Sequence, residues 1–184
     1  MKSAIEQLST YKSVHLNRKN IRTHFIGVPM IIWSIALLLA SFSFEVESAF
    51  ISNYFGVETV GFTLAGIFSI GVLIYYLILS FPLGILAFVL FGPLMWSVHH
   101  VVNMEYHIII AISVFVIGWV IQFIGHHYEK AKPAFMDDIN QLLIGPLFVI
   151  AEIYFLLGRG KALDKSITKK AVEKRRIFEQ EKVQ

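Results

Sequence analysis

Polar and apolar positions follow one another along this chain in long blocks. Residues 1–24 are polar. Residues 25–44 carry no charged side chain and reach the ~20 apolar residues that a helix needs to cross a bilayer. Pro29 falls near the start of this block, where a missing backbone donor costs least. Residues 45–58 hold Glu45, Glu47 and Glu58 but neither lysine nor arginine. Residues 60–98 then run uncharged, too far for one crossing, and Ser80-Phe81-Pro82 offers a tight turn between two spans. His99, His100, Asn103, Glu105 and His107 form a polar island before residues 108–124, a fourth span. Residues 139–157 are apolar but interrupted by Asn140, Gln141, Gly145, Pro146 and Glu152. A carboxylate in hydrocarbon normally faces a protein interior or water, so this fifth block reads as a re-entrant or interfacial element. From Arg159 the chain is basic and reads as a helix with little order at its end. The pattern predicts an all-α integral membrane bundle of about four spans plus that fifth segment.

Composition agrees. The 184 residues are 56% hydrophobic, with a mean hydropathy of +0.66, whereas soluble domains are apolar at about 45–50%. The length suits one domain over residues 1–184: a polar N-terminal segment over 1–24, the bundle over 25–157 and a basic tail over 158–184. The net charge of +3 is concentrated in basic residues at the two ends, which favours membrane lipid over nucleic acid as a partner. The chain has no cysteine, which excludes disulfides and thiolate chemistry. Residues 1–24 lack the pattern of a signal peptide. Basic ends and a loop without lysine or arginine at 45–58 predict both termini on the cytoplasmic side, in the endoplasmic reticulum of a eukaryote or the inner membrane of a bacterium.

Four spans bring His15, His24, His126, His127 and Glu129 to one membrane face, with His99, His100 and His107 ~30 Å away across the hydrocarbon. His126 and Glu129, three apart, share a helix face. His15 and His24, nine apart, converge only if the helix breaks between them, and Asn17 and Asn20 suit such a break. His127 points ~100° away from His126 and reads as a surface residue; Trp33, Trp96 and Trp119 read as packing and interfacial anchors. Histidine and carboxylate without cysteine suit iron, zinc or manganese. Neither a Gly-x-Ser-x-Gly pattern nor a phosphate-binding glycine loop is present.

Two groups of residues resemble a known family. Tyr11-x3-His15-x-Asn17-x2-Asn20-x3-His24, followed by Gly27-Val28-Pro29, is similar to the opening signature of the iron(II)-dependent 2-hydroxy fatty acid dioxygenases. Trp119-x2-Gln122-Phe123-Ile124-Gly125-His126-x2-Glu129-x3-Pro133-Ala134, continuing through Asp138 and Gln141 to Gly145-Pro146-Leu147, is similar to its second. Together they cover about a third of the chain. His127 and the island at 99–107 depart from that pattern. The resemblance implies α-oxidation, in which a 2-hydroxy fatty acid and O2 give a fatty acid one carbon shorter plus CO2, serving phytosphingosine breakdown in fungi. It implies Fe2+ held by His15, His24 and His126. Glu129 is then a fourth ligand or an orienting partner, with His127 another option, and Tyr11 joins it as a catalytic candidate. Asn20 and Gln122 are candidates for hydrogen bonds to ligands or substrate. The rival reading is a non-enzymatic small transporter or lipid-binding scaffold. A histidine-rich desaturase is disfavoured, since its H-x3-H and H-x2-H-H clusters are absent.

Overall fold

The computed structural model describes residues 2–47, 56, 59–136 and 138–181. The polar N-terminal block forms α1 (Ala4–Ser13), capped by Ser3, whose hydroxyl accepts from the Glu6 amide. The helix stops where the sequence asks it to. Asn17 caps α2 (Arg18–Ala40), its side-chain oxygen accepting from the Lys19 amide at 2.9 Å, so the break between His15 and His24 is a hydrogen-bonded N-cap. A short antiparallel hairpin follows, β1 (Ser43–Glu47) with β2 (Thr59–Thr63), in the register Phe44↔Phe62 and Val46↔Val60. The uncharged run predicts a span from residue 60 onward; its first few residues instead complete this hairpin. Glu58 and most of the connecting residues lie outside the described ones.

Helices α3 (Leu64–Leu79) and α4 (Phe81–Val101) meet at Ser80, as the Ser-Phe-Pro turn predicts. They pack closely at Gly84, where an added Cβ would lie 2.8 Å from Leu77 backbone atoms. Helix α5 (His107–Glu129) runs back along α2 and ends at Lys130, whose left-handed backbone (φ 57) turns the chain. A 3-10 turn (Ala134–Met136), α6 (Gln141–Leu156) and α7 (Lys161–Glu181) complete the described chain.

Helices α2, α4 and α5 are long and apolar enough to cross a membrane. At 16 residues, α3 and α6 rise only ~24 Å, short of a ~30 Å hydrocarbon core. The outer surface is that of a lipid-facing bundle. Ile67, Ile70, Ile74 and Ile78 line one exposed face of α3, and Ile109, Ile112, Val116 and Val120 one of α5; a soluble monomer rarely shows apolar patches this continuous.

Without a hydrophobic drive between helices in lipid, close packing at small residues holds spans together. That is how α2 meets α5. A Cβ on Gly27 would lie 2.9 Å from the Gly118 carbonyl, and one on Gly125 would overlap Thr23 and Asn20. Two apolar cores result. Leu8, Ile144, Leu147, Phe148, Ile150 and Ile167 pack at the histidine end; Leu37, Ala40, Ala65, Val98 and Ala111 pack at the other. Glu152 is satisfied inside the protein: Lys12, 8% exposed, reaches it at 2.8 Å and Asp164 at 3.2 Å, tying α1, α6 and α7 together.

Candidate metal centre

The N-cap break at Asn17 turns the α1–α2 junction back so that His15 faces His24, nearly two turns into α2. The Gly27–Gly118 and Gly125 contacts bring the end of α5, with His126, against the same point. The ligand atoms of His15, His24 and His126 lie within 4.8 Å of one another, and all three side chains are buried. The rings stand edge to face, with centroids 4.5, 4.9 and 5.3 Å apart.

The hydrogen bonds of these rings fix their chemistry. His15 Nδ1 lies 2.6 Å from the Tyr11 carbonyl and His24 Nδ1 2.8 Å from the Asn20 carbonyl. A carbonyl only accepts, so both Nδ1 atoms carry the proton and both neutral rings keep their lone pair on Nε2. Those two Nε2 atoms face each other at 3.0 Å. Two acceptors so placed repel unless a cation lies between them. About 3.0 Å is the separation of two imidazole nitrogens bound ~2.1 Å from one ion at a right angle. Burial, helped by His24 and His126, holds the His15 imidazole well below its ordinary value of 6.5, which keeps it a metal-competent neutral base. His126 Nδ1 is buried without a hydrogen-bond partner. The donor set therefore fits a first-row divalent metal, and hydrogen bonds from Nδ1 to backbone carbonyls orient such ligands.

Glu129 stands beside this cluster rather than in it. Its carboxylate accepts from the Leu16 amide (3.1 Å), the Asn17 amide (2.8 Å) and Asn20 Nδ2 (3.2 Å), and Arg175 of α7 approaches it at 3.9 Å. It clamps the α1–α2 turn that carries His15. Tyr11 stacks flat on His15 at 4.1 Å and packs against Phe148. Its hydroxyl lies against Gly145, where a Cβ would approach it to 2.9 Å. Burial raises the Tyr11 phenol above its ordinary value of 10.0, so it stays a donor. His127 is exposed, as the helix geometry requires. His99 and His100 lie at the far end of α4 beside Trp96, and His107 at the start of α5 contacts Ser41; none joins the cluster.

The cluster opens on a cavity of about 850 Å³ between the helices. Its polar end holds Tyr11, His24, Gln122, His126, Asn140 and Gln141. Beyond them the wall is apolar, through Ile31, Ile35, Phe68, Phe91 and Phe115. Along α2 the lining extends from His24 to Leu39, ~22 Å of helix, where one leaflet of a bilayer is ~15 Å deep. Trp119 packs on Phe115, Phe123 and Phe135 and lines the cavity as well. Gln141 appeared in the sequence only within the second resemblance. Its buried carboxamide, like the clamp from Arg175, becomes visible only when distant segments meet.

An α-helical membrane bundle with a buried three-histidine site at the head of an apolar cavity defines the class. The family model described as 2-hydroxy-palmitic acid dioxygenase Mpo1-like matches residues 1–157, and the chain belongs to that family. The 2-hydroxy-palmitic acid dioxygenase MPO1 of Saccharomyces cerevisiae is 33% identical over 155 residues, covering 83% of this chain and 80% of the yeast protein. No solved structure matches the chain.

Proposed function

We propose that this protein is an iron(II)-dependent dioxygenase that shortens 2-hydroxy fatty acids by one carbon, acting from the cytoplasmic side of its membrane. The name of the yeast relative supports the substrate class. The observation that carries the reading is a cluster of three metal-competent imidazoles, two of which, His24 and His126, line the polar end of a cavity long enough for an acyl chain. The stoichiometry is closed: R–CH(OH)–COOH and O2 give R–COOH, CO2 and H2O. The substrate supplies all four electrons that O2 accepts, so 2-oxoglutarate is not needed.

His15, His24 and His126 hold the iron, and bound Fe2+ supplies O2 activation and open positions for the carboxylate and 2-hydroxyl. The apolar walls take the tail and fix the head at the histidines, turning a diffusional encounter into a positioned one. Tyr11 keeps His15 in plane by stacking and offers its hydroxyl at the same depth. Glu129 and Asn20 hold the α1–α2 turn, so they act through the placement of His15.

The test is incubation of detergent-solubilised protein with 2-hydroxypalmitate, iron(II) and air, followed by fatty-acid analysis. Pentadecanoic acid should form, with O2 consumed, and both a chelator and His24→Ala should abolish it. A protein that binds the acid yet releases no shortened product from any 2-hydroxy acid is a lipid-binding scaffold instead.

A further inference from the structure

Two buried carboxamides at the polar end of the cavity have hydrogen-bonding capacity that the fold leaves unused. Gln122 is 4% exposed and Gln141 2% exposed. Neither Nε2 nor Oε1 of Gln122 has a partner, and Oε1 of Gln141 has none. A buried polar group left unsatisfied costs stability, and both residues line the cavity beside His24 and His126. Gln122 precedes His126 by one turn of α5, so the two side chains share a face. Gln141 precedes by one turn of α6 the Gly145 that touches the Tyr11 hydroxyl.

Their free atoms differ, and the difference assigns roles. Of the Gln141 carboxamide only Oε1 is buried without a partner. A carboxamide oxygen only accepts, so Gln141 offers the cavity an acceptor. An acceptor repels a carboxylate and needs a donor. An ionised 2-hydroxy acid offers one donor at its head, the 2-hydroxyl. Gln122 has a free donor as well as a free acceptor, and its N–H group suits the carboxylate. We infer that the Gln122 and Gln141 carboxamides form a head-group reader, Gln122 Nε2 donating to the substrate carboxylate and Gln141 Oε1 accepting from its 2-hydroxyl. This deepens the proposed function and rests on it for the substrate class. It makes Gln141 the residue that separates hydroxylated from plain fatty acids before any chemistry occurs.

The experiment is equilibrium binding to the full-length, iron(II)-loaded protein in detergent without oxygen, read from tryptophan fluorescence, since Trp119 lines the cavity. The probes are 2-hydroxypalmitate, palmitate and methyl palmitate. Gln141→Leu should weaken 2-hydroxypalmitate about tenfold and leave palmitate unchanged. Gln122→Leu should weaken both free acids by about ten- to a hundredfold and spare the methyl ester. Gln141→Glu keeps an acceptor at this position. It should retain the ratio between hydroxylated and plain acid even if both bind more weakly, which guards against a Leu variant that merely misfolds. Equal loss for both acids in Gln141→Leu, or the ratio lost in Gln141→Glu as well, overturns the assignment. Product formation in air is measured separately. A wild type that shows the hydroxyl preference in binding but makes no shortened acid removes the dioxygenase reading and leaves the carboxamide pair in place.

Discussion

His15 and His24 are set by their own backbones. Each donates Nδ1–H to the carbonyl four residues earlier, and each therefore presents a bare Nε2 to the other. Replacing His15, His24 or His126 by alanine should remove nearly all bound iron while the helical content stays intact, as metal analysis and circular dichroism would show. A His126→Ala protein that kept a full iron load would break the assignment. The convergence of these three was legible because Asn17 marks the helix break and the spans set the depth of His126. The work of Glu129 was not. Its partners are the Leu16 and Asn17 amides, more than a hundred residues earlier in the chain, and backbone donors leave no trace in a side-chain pattern. Glu129→Ala strands two amides and Asn20 beside the site, so it should cost about 2–3 kcal/mol and weaken iron retention, measured by thermal melting and metal content. Unchanged iron retention would show that the clamp does not place His15.

At the scale of elements, the packing of α2 on α5 and of α7 on α1 decides whether the site exists. Gly27→Ala would push a Cβ towards the Gly118 carbonyl and Gln122. Overpacking of this kind costs about 1–3 kcal/mol, and here it would also part His24 from His126. The expected result is a lower melting temperature together with weaker iron binding, whereas a melting curve identical to wild type would contradict the close approach. Helix α7 is fastened to α1 by Lys174 and Lys170 at Glu6, and Lys174 also donates to Thr10 at 2.6 Å. The hydrogen bond from Lys174 holds the Glu6 carboxyl below its ordinary value of 4.5. A depressed folded-state value means the contact is fully present above 4.5 and lost as pH falls through the lower folded value. Protease sensitivity of α7 should therefore rise as pH falls below 4.5 and stay flat from pH 6 to 8. The spans and the turn at Ser80 were readable from charge-free blocks. The docking of α7 was not, because a basic amphipathic tail carries the same pattern whether it lies on lipid or on another helix. The hairpin was not read: the charge-free blocks put Phe44 in one span and residues from 60 in the next, and the short alternation of Phe44 and Val46 with Glu45 and Glu47 was masked by the apolar runs beside it.

For the molecule as a whole, the site and both described ends of the chain fall on one side, with the β1–β2 hairpin on the other. The absence of cysteine makes this directly measurable. Single cysteines at Ser3 and Ser166 should react with an impermeant maleimide from the same face of sealed membranes, and one at Ser43 only from the opposite face. Labelling of Ser43→Cys from the same face as Ser3→Cys would overturn the crossing pattern. The separation of the three histidines along the sequence also has a consequence for biosynthesis. His15 and His24 leave the ribosome early, but His126 follows after roughly a hundred residues, about 5–20 s later at ordinary elongation rates. Arg175, which steadies the Glu129 clamp, comes later still. A nascent or half-inserted chain can thus present two histidines but not the third, and it has no enclosed cavity. Under the iron(II) reading proposed above, the ion would find its three ligands together only once translation is nearly complete.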